Sequence, residues 1–233
     1  MPGLVEKSDY DGIRVLSLAR PPVNAIDLDL VRAIEEAMAE TESSACRGLV
    51  VTGRPGIFSA GIDVKAVLRY DVTDRAEMLR SINRTVLALY GLPKPTVAAI
   101  GGHAIGGGLV LALTCDFRIA AEGSYQLGLT EVTAGIPFPA GPMAVVLAEL
   151  DRSAARDLVL SGRTFGPMAP PADAFIDAHA SPRRLLEAAI GHAAALGAAP
   201  AYATVKRQLR AETLRRLEEI VARDDDPMLR VWK

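Results

Sequence analysis

Cysteine is scarce: Cys46 and Cys115 are the only two in 233 residues. They are too few and too far apart for a disulfide framework or a metal cluster. No metal site is therefore expected, and a reducing, cytoplasmic setting is the default. Charge of one sign is lacking too. The 26 basic and 28 acidic residues leave a net charge of −2, mixed along the chain. That balance speaks against a general nucleic-acid or membrane-surface binder. Residues 1–12 carry Glu6, Asp9 and Asp11 and no apolar core, so they do not read as a secretory signal. No internal repeat or low-complexity linker is evident. Residues 96–115 form a run of twenty without Asp, Glu, Lys or Arg, long enough for a membrane span. Five glycines and His103 interrupt that run, Asp116 and Arg118 follow at once, and no second span accompanies it. A buried strand–turn–helix is the expected reading.

What is present is a large apolar complement. Half of the residues are hydrophobic and 23% are charged, enough for one large domain or two small ones. Strand patterns occur at 13–19, 48–52, 96–100 and 117–120. Helical spacing occurs at 28–42, 64–70, 74–90, 109–115, 144–150, 154–160, 182–196 and 201–223. Strands alternating with helices predict an α/β architecture with parallel pairing. Residues 135–142 read as a constrained Pro/Gly loop. In the last helix Leu209, Leu214, Leu217, Ile220 and Val221 form an apolar stripe expected to dock on the core.

The densest signal is Gly106-Gly107-Gly108, between the strand at 96–100 and the helix that follows. Such a cluster lets another molecule approach the backbone, and the first N–H groups of the helix lack intrahelical partners. Its spacing fits neither a dinucleotide fingerprint nor a P-loop, and Ser59 lacks the flanking glycine of a nucleophile elbow. Close helix–strand packing alone would also explain it. A second segment, Phe58-Ser59-Ala60-Gly61-Ile62-Asp63, repeats the geometry. Two N–H groups from two such turns can converge on one carbonyl oxygen, an oxyanion hole suited to an acyl thioester.

Four segments in order resemble the crotonase, or enoyl-CoA hydratase/isomerase, superfamily. They are Arg20-Pro21-Pro22-Val23-Asn24-Ala25, the Phe58–Asp63 segment, residues 94–108, and Leu113-Thr114-Cys115-Asp116-Phe117-Arg118-Ile119-Ala120. The resemblance runs from about residue 13 to about residue 163. It implies a crotonase-like spiral of ββα turns over residues 1–178 and a C-terminal helical region over 179–233 that oligomerises and covers the site. It also implies a homotrimer or homohexamer and an acyl-CoA substrate, with coenzyme A as part of that substrate and no separate cofactor. By position the oxyanion donors fall on Ile62 and Gly107. Ala60, Ile62, Asp63, Val64, Lys65, Gly106, Gly107, Val110 and Phe138 would touch substrate, with the uncharged run at 132–148 supplying an acyl pocket.

The family's hydratases hold one water between two glutamates. The first of those positions is Val110 here, and the second matches Glu131 in Leu127-Gly128-Leu129-Thr130-Glu131. Losing one positioned acid costs about 10²–10⁴-fold, whereas a single carboxylate suffices to move a double bond from C3 to C2. The context is most like the Δ3,Δ2-enoyl-CoA isomerase branch. The alternatives are a hydratase with one acid missing, a decarboxylase or thioesterase, and a non-catalytic acyl-CoA-binding relative. Asp63 is expected to cap a helix, Asp116 to close a buried turn and His103 to be a satisfied core histidine. Lys206, Arg207 and Arg210 are expected on a solvated helix face. After Arg163 the pattern weakens, with Ala174-Phe175-Ile176-Asp177 where the family has a strand.

Overall fold

The computed structural model describes residues 3–230. The chain opens with β1 (Val5–Tyr10), β2 (Ile13–Leu18), α1 (Leu28–Ser43), β3 (Gly48–Thr52), β4 (Gly56–Ser59), α2 (Val64–Val67) and α3 (Val72–Gly91). Next come β5 (Thr96–Ile100), β6 (Gly102–Ile105), α4 (Gly107–Thr114), β7 (Phe117–Ala121), β8 (Leu127–Gly128) and α5 (Glu131–Ala134). It closes with α6 (Ala140–Glu149), α7 (Arg152–Ser161), β9 (Ala178–Ala180), α8 (Leu185–Gly197) and α9 (Tyr202–Arg223).

Strands fall into two sheets. The larger has the order β1-β2-β3-β5-β7-β9 and the smaller β4-β6-β8. Only the β1–β2 pair is antiparallel; every other pair is parallel. Three times the chain passes through a strand of the large sheet, then one of the small sheet, then a helix: β3-β4-α2, β5-β6-α4 and β7-β8-α5. This is the spiral of ββα turns that the resemblance implies. All five residues of β5 are buried, as a central parallel strand covered on both faces requires.

The helices start where the sequence supplies caps. Asp27, Asp71 and Asp151 each accept backbone N–H groups at the starts of α1, α3 and α7, satisfying donors that the first helical turn leaves open. Leu30, Val31, Ile34 and Met38 form the buried face of α1, packed on α3. No helix among the described residues is long and apolar enough to cross a membrane. The uncharged run at 96–115 is instead β5, β6 and α4.

Several expectations need correction. The patterns missed β1, β4, β6 and the two-residue β8. β1 exposes five of its six residues at a sheet edge, and β4 and β6 lie in glycine-rich stretches that read as turns. The helix expected over 64–70 is a single turn, and the loop expected over 135–142 is shortened because α6 begins at Ala140. The strand expected near 174–177 lies a few residues later, as β9 against β7.

In α9 the expected stripe holds at Leu217, which is fully buried, but Leu209 is 84% exposed. Lys206 and Arg210 are buried rather than solvated. Lys206 Nζ lies 2.9 Å from Asp116 Oδ2 and Arg210 Nη1 2.9 Å from Asp116 Oδ1. Arg210 also meets Glu149 at 3.2 Å and stacks 3.7 Å over the Tyr90 ring. Desolvation drives the Lys206 pKa down despite that partner. Asp116 accepts Thr96 N–H as well, so it closes its turn as expected and also anchors α9.

Candidate active site

The small sheet organises the site. In the β4–β6 pair Gly56 lies beside Gly102 and Ser59 beside Ala104; in the β6–β8 pair Ile105 lies beside Gly128. Three parallel strands therefore end at one edge, where α/β folds place their ligands. Ile62 follows β4, Gly107 follows β6 and Glu131 follows β8. One expected site position thus follows each of three successive strand ends.

Two glycines make these ends fit. Gly61 has φ +77°, and a Cβ there would lie 3.0 Å from Gly107 N. Gly106 has φ +52°, and a Cβ there would lie 3.3 Å from Glu131 Oε1. Both positions combine a backbone conformation that disfavours side chains with a close approach. Gly106 N–H also donates to Gly128 O at 2.8 Å, tying the end of β6 to the start of the Glu131 turn.

The loop at Arg20–Asp27 holds the Ile62 segment. Ile26 N–H donates to Gly61 O at 2.7 Å, and Asp63 N–H donates to Ile26 O at 2.8 Å. This parallel bridge uses the groups on either side of Ile62 and leaves the Ile62 N–H directed away from it. Buried Asn24 donates to Phe58 O and takes the Ser59 hydroxyl on its own carbonyl. Arg20 bridges Asp27 at 2.6 Å and Asp63 at 3.1 Å. Asp63 caps α2 through Ala66 N–H, as its sequence position suggests. The roles of Arg20 and Asn24 were not assigned from sequence, although both lie in a motif that pointed to the family.

Gly107 is the first residue of α4, so its N–H has no intrahelical acceptor. Its nearest surroundings are Ile26 Cδ1 and Ile62 Cγ1, each 3.7 Å from where a Cβ would stand. Gly107, Ile62, Val110 and Glu131 line one cavity of about 50 Å³. Its other walls come from Ile26, Val31 and Ile34 around α1, from Ile82, Thr85 and Val86 of α3, and from Leu111, Pro139 and Pro142. Glu131 is the one ionisable group among these lining residues.

Glu131 is 7% exposed, and its Oε2 has no hydrogen-bond partner. Burial pushes its pKa up to about 7, because the charged form loses hydration with no cation to replace it. Val110 beside it is buried and apolar. The structure thus brings together four of the expected residues: Ile62, Gly107, Val110 and Glu131. Gly106 does not line the cavity, but a Cβ there would lie 3.3 Å from Glu131 Oε1. Ala60, Asp63, Val64, Lys65 and Phe138 do not line the cavity. Lys65 and Val64 are exposed and Phe138 is half-buried. His103 is half-buried in β6, where its Nδ1 accepts Gln126 N–H.

The enoyl-CoA hydratase/isomerase family model matches residues 8–229. The chain belongs to the enoyl-CoA hydratase/isomerase family. Within it, the rat mitochondrial enoyl-CoA delta isomerase 1 is 37% identical over 139 residues, covering 58% of this chain and 48% of the rat protein. The match thus spans about half the length of that relative. A probable enoyl-CoA hydratase, EchA17 of Mycobacterium tuberculosis, is 34% identical over 180 residues, covering 76% of this chain and 68% of its own. Among solved structures, human mitochondrial delta3-delta2-enoyl-CoA isomerase superposes with TM-score 0.89 at 27% identity, covering 98% of this chain and 90% of that one. A hydratase/isomerase family protein from Pseudomonas syringae gives 0.86 at 29% identity, with 95% and 96% covered. The crotonase fold expected from the motifs is therefore the fold of this chain.

Proposed function

We propose that this family member isomerises 3-enoyl-CoA to 2-enoyl-CoA with Glu131 as its single proton shuttle. The observation that carries this reading is a lone, buried carboxyl whose Oε2 has no partner, in an otherwise apolar cavity, with Val110 where a second acid would be needed to hold water. A pKa near 7 suits a group that must both take and return a proton.

In this reading the Glu131 carboxylate removes a proton from C2. The C–H electron pair forms a dienolate, and the charge moves onto the thioester oxygen. The N–H groups of Ile62 and Gly107 hold that oxygen, each contributing about 3–4 kcal/mol in sites of this kind. Protonated Glu131 then delivers its proton to C4. The thioester carbonyl re-forms, and the double bond lies between C2 and C3. Atoms and charge balance without water. The cavity volume of about 50 Å³ corresponds to roughly three or four water-sized positions, which suits a short acyl chain. Exposed Lys65 and Val64, just after Ile62 in the chain, would meet the coenzyme A portion in this reading.

The test compares 3-enoyl-CoA and 2-enoyl-CoA with wild type and Glu131→Gln. Isomerisation by wild type and its loss by about 10²–10⁴-fold in the variant are expected. Isomerisation that survives in Glu131→Gln overturns the mechanism. Rapid hydration of 2-enoyl-CoA by wild type makes the chain a hydratase instead. Tight acyl-CoA binding without turnover makes it a binding relative.

A further inference from the structure

Among the described residues, three buried side-chain polar atoms lack a hydrogen-bond partner: Thr85 Oγ1, Glu131 Oε2 and His192 Nε2. Two of the three, on Thr85 and Glu131, belong to residues lining the same cavity. The proton shuttle accounts for Glu131. Nothing in that chemistry accounts for Thr85.

Thr85 sits in the interior of α3 and is 4% exposed. A buried threonine in a helix ordinarily turns its hydroxyl back onto the carbonyl four residues earlier. Two others in this chain do so. Thr41 donates to Ala37 O at 2.6 Å, and Thr114 donates to Val110 O at 2.8 Å. Thr85 makes no such bond. Its neighbours on the cavity wall, Ile82 and Val86, are apolar. An unpaired buried hydroxyl is unfavourable, and valine would fill nearly the same volume without that cost. A ligand atom able to share a hydrogen bond would relieve it.

We propose that Thr85 is a specificity-determining residue that selects a short acyl chain bearing an oxygen substituent, a ketone or hydroxyl, remote from the thioester. The inference rests on the reading of this cavity as the acyl site. The cavity is otherwise apolar apart from Glu131, so a hydrogen bond to Thr85 would distinguish an oxygen-bearing chain from a plain one of equal length.

The experiment measures binding, not turnover, and uses saturated thioesters that cannot isomerise. Hexanoyl-CoA, 4-oxohexanoyl-CoA and 5-oxohexanoyl-CoA are titrated calorimetrically into wild type, Thr85→Val and Thr85→Ser. Expected is a preference for at least one oxo chain over hexanoyl-CoA that falls about 2- to 10-fold in Thr85→Val. Thr85→Ser, which keeps the hydroxyl, should keep the preference. Hexanoyl-CoA affinity should hold or improve in Thr85→Val, which also reports that the variant is folded. Equal relative affinities in wild type and Thr85→Val overturn this inference and leave the isomerase reading standing. Failure of wild type to bind any of the three overturns both.

Discussion

Replacing Glu131 by glutamine should make the folded protein more stable, and the gain should grow with pH. The group's pKa is about 7 in the folded chain against an ordinary 4.5. Between those values the folded state binds more protons than the unfolded state, so stability falls as pH rises. At pH 5 the folded carboxyl is protonated while the unfolded one is already mostly ionised, and the penalty is under about 1 kcal/mol. At pH 8 both are ionised, and holding the charge in the cavity costs about 3 kcal/mol. Glutamine has no such titration, so any cost of its own amide cancels between the two pH values. The stability difference between Glu131→Gln and wild type should therefore increase by about 2.5 kcal/mol from pH 5 to pH 8. In a chain of this size that is a relative Tm change of about 5–10 °C. Urea unfolding of both proteins at both pH values measures it. A difference that does not depend on pH would refute the argument that burial holds this carboxyl neutral.

The same carboxyl should govern the rate. If Glu131 must be ionised to take the C2 proton, isomerisation should rise with pH and reach half its plateau near pH 7, read from a kcat/KM profile. Gly107→Ala and Gly108→Ala should separate activity from folding. A Cβ at Gly107 meets the Ile26 and Ile62 side chains and the Gly61 Cα, all at ordinary contact distance, so stability should change by about 1 kcal/mol or less while kcat/KM falls about 10²-fold through displaced substrate. A Cβ at Gly108 would overlap the Ser59 carbonyl, so that variant should unfold at markedly lower temperature in a thermal melt. Asp116→Ala strands Lys206 and Arg210 in a buried setting and should cost about 3–5 kcal/mol by chemical denaturation.

The sequence carried the site better than it carried its supports. Gly61-Ile62 and Gly106-Gly107 are legible because glycine beside a strand end implies close approach to the backbone, whereas Val110 and Glu131 are legible only through the resemblance to the family. β4 and β6, which align those segments, were hidden because glycine-rich strands of four residues read as turns. Lys206 and Arg210 stand four residues apart on a polar-looking helix, the pattern of a solvated face. Only the folded chain brings Asp116 and Glu149 to them. Thr85 gave no signal, since one threonine in an amphipathic helix is unremarkable until its hydroxyl is seen to lack the bond that Thr41 and Thr114 make.

The anchoring of α9 has a further consequence for α4. Arg210 donates to Cys115 O at 3.3 Å, and Arg118 donates to the same carbonyl at 3.0 Å. These cations sit at the carboxyl end of the helix whose amino end presents Gly107 to the cavity. They satisfy terminal acceptors and favour the negative end of the helix dipole. α4 is thus held at its carboxyl end by a residue of the last long helix. Shortening the chain before Tyr202 would remove no cavity-lining residue, yet it would unclamp the helix that carries Gly107. In this architecture the tail behaves as a vice for the active site, and wear at its jaws should be felt at the opposite tip of an eight-residue rod.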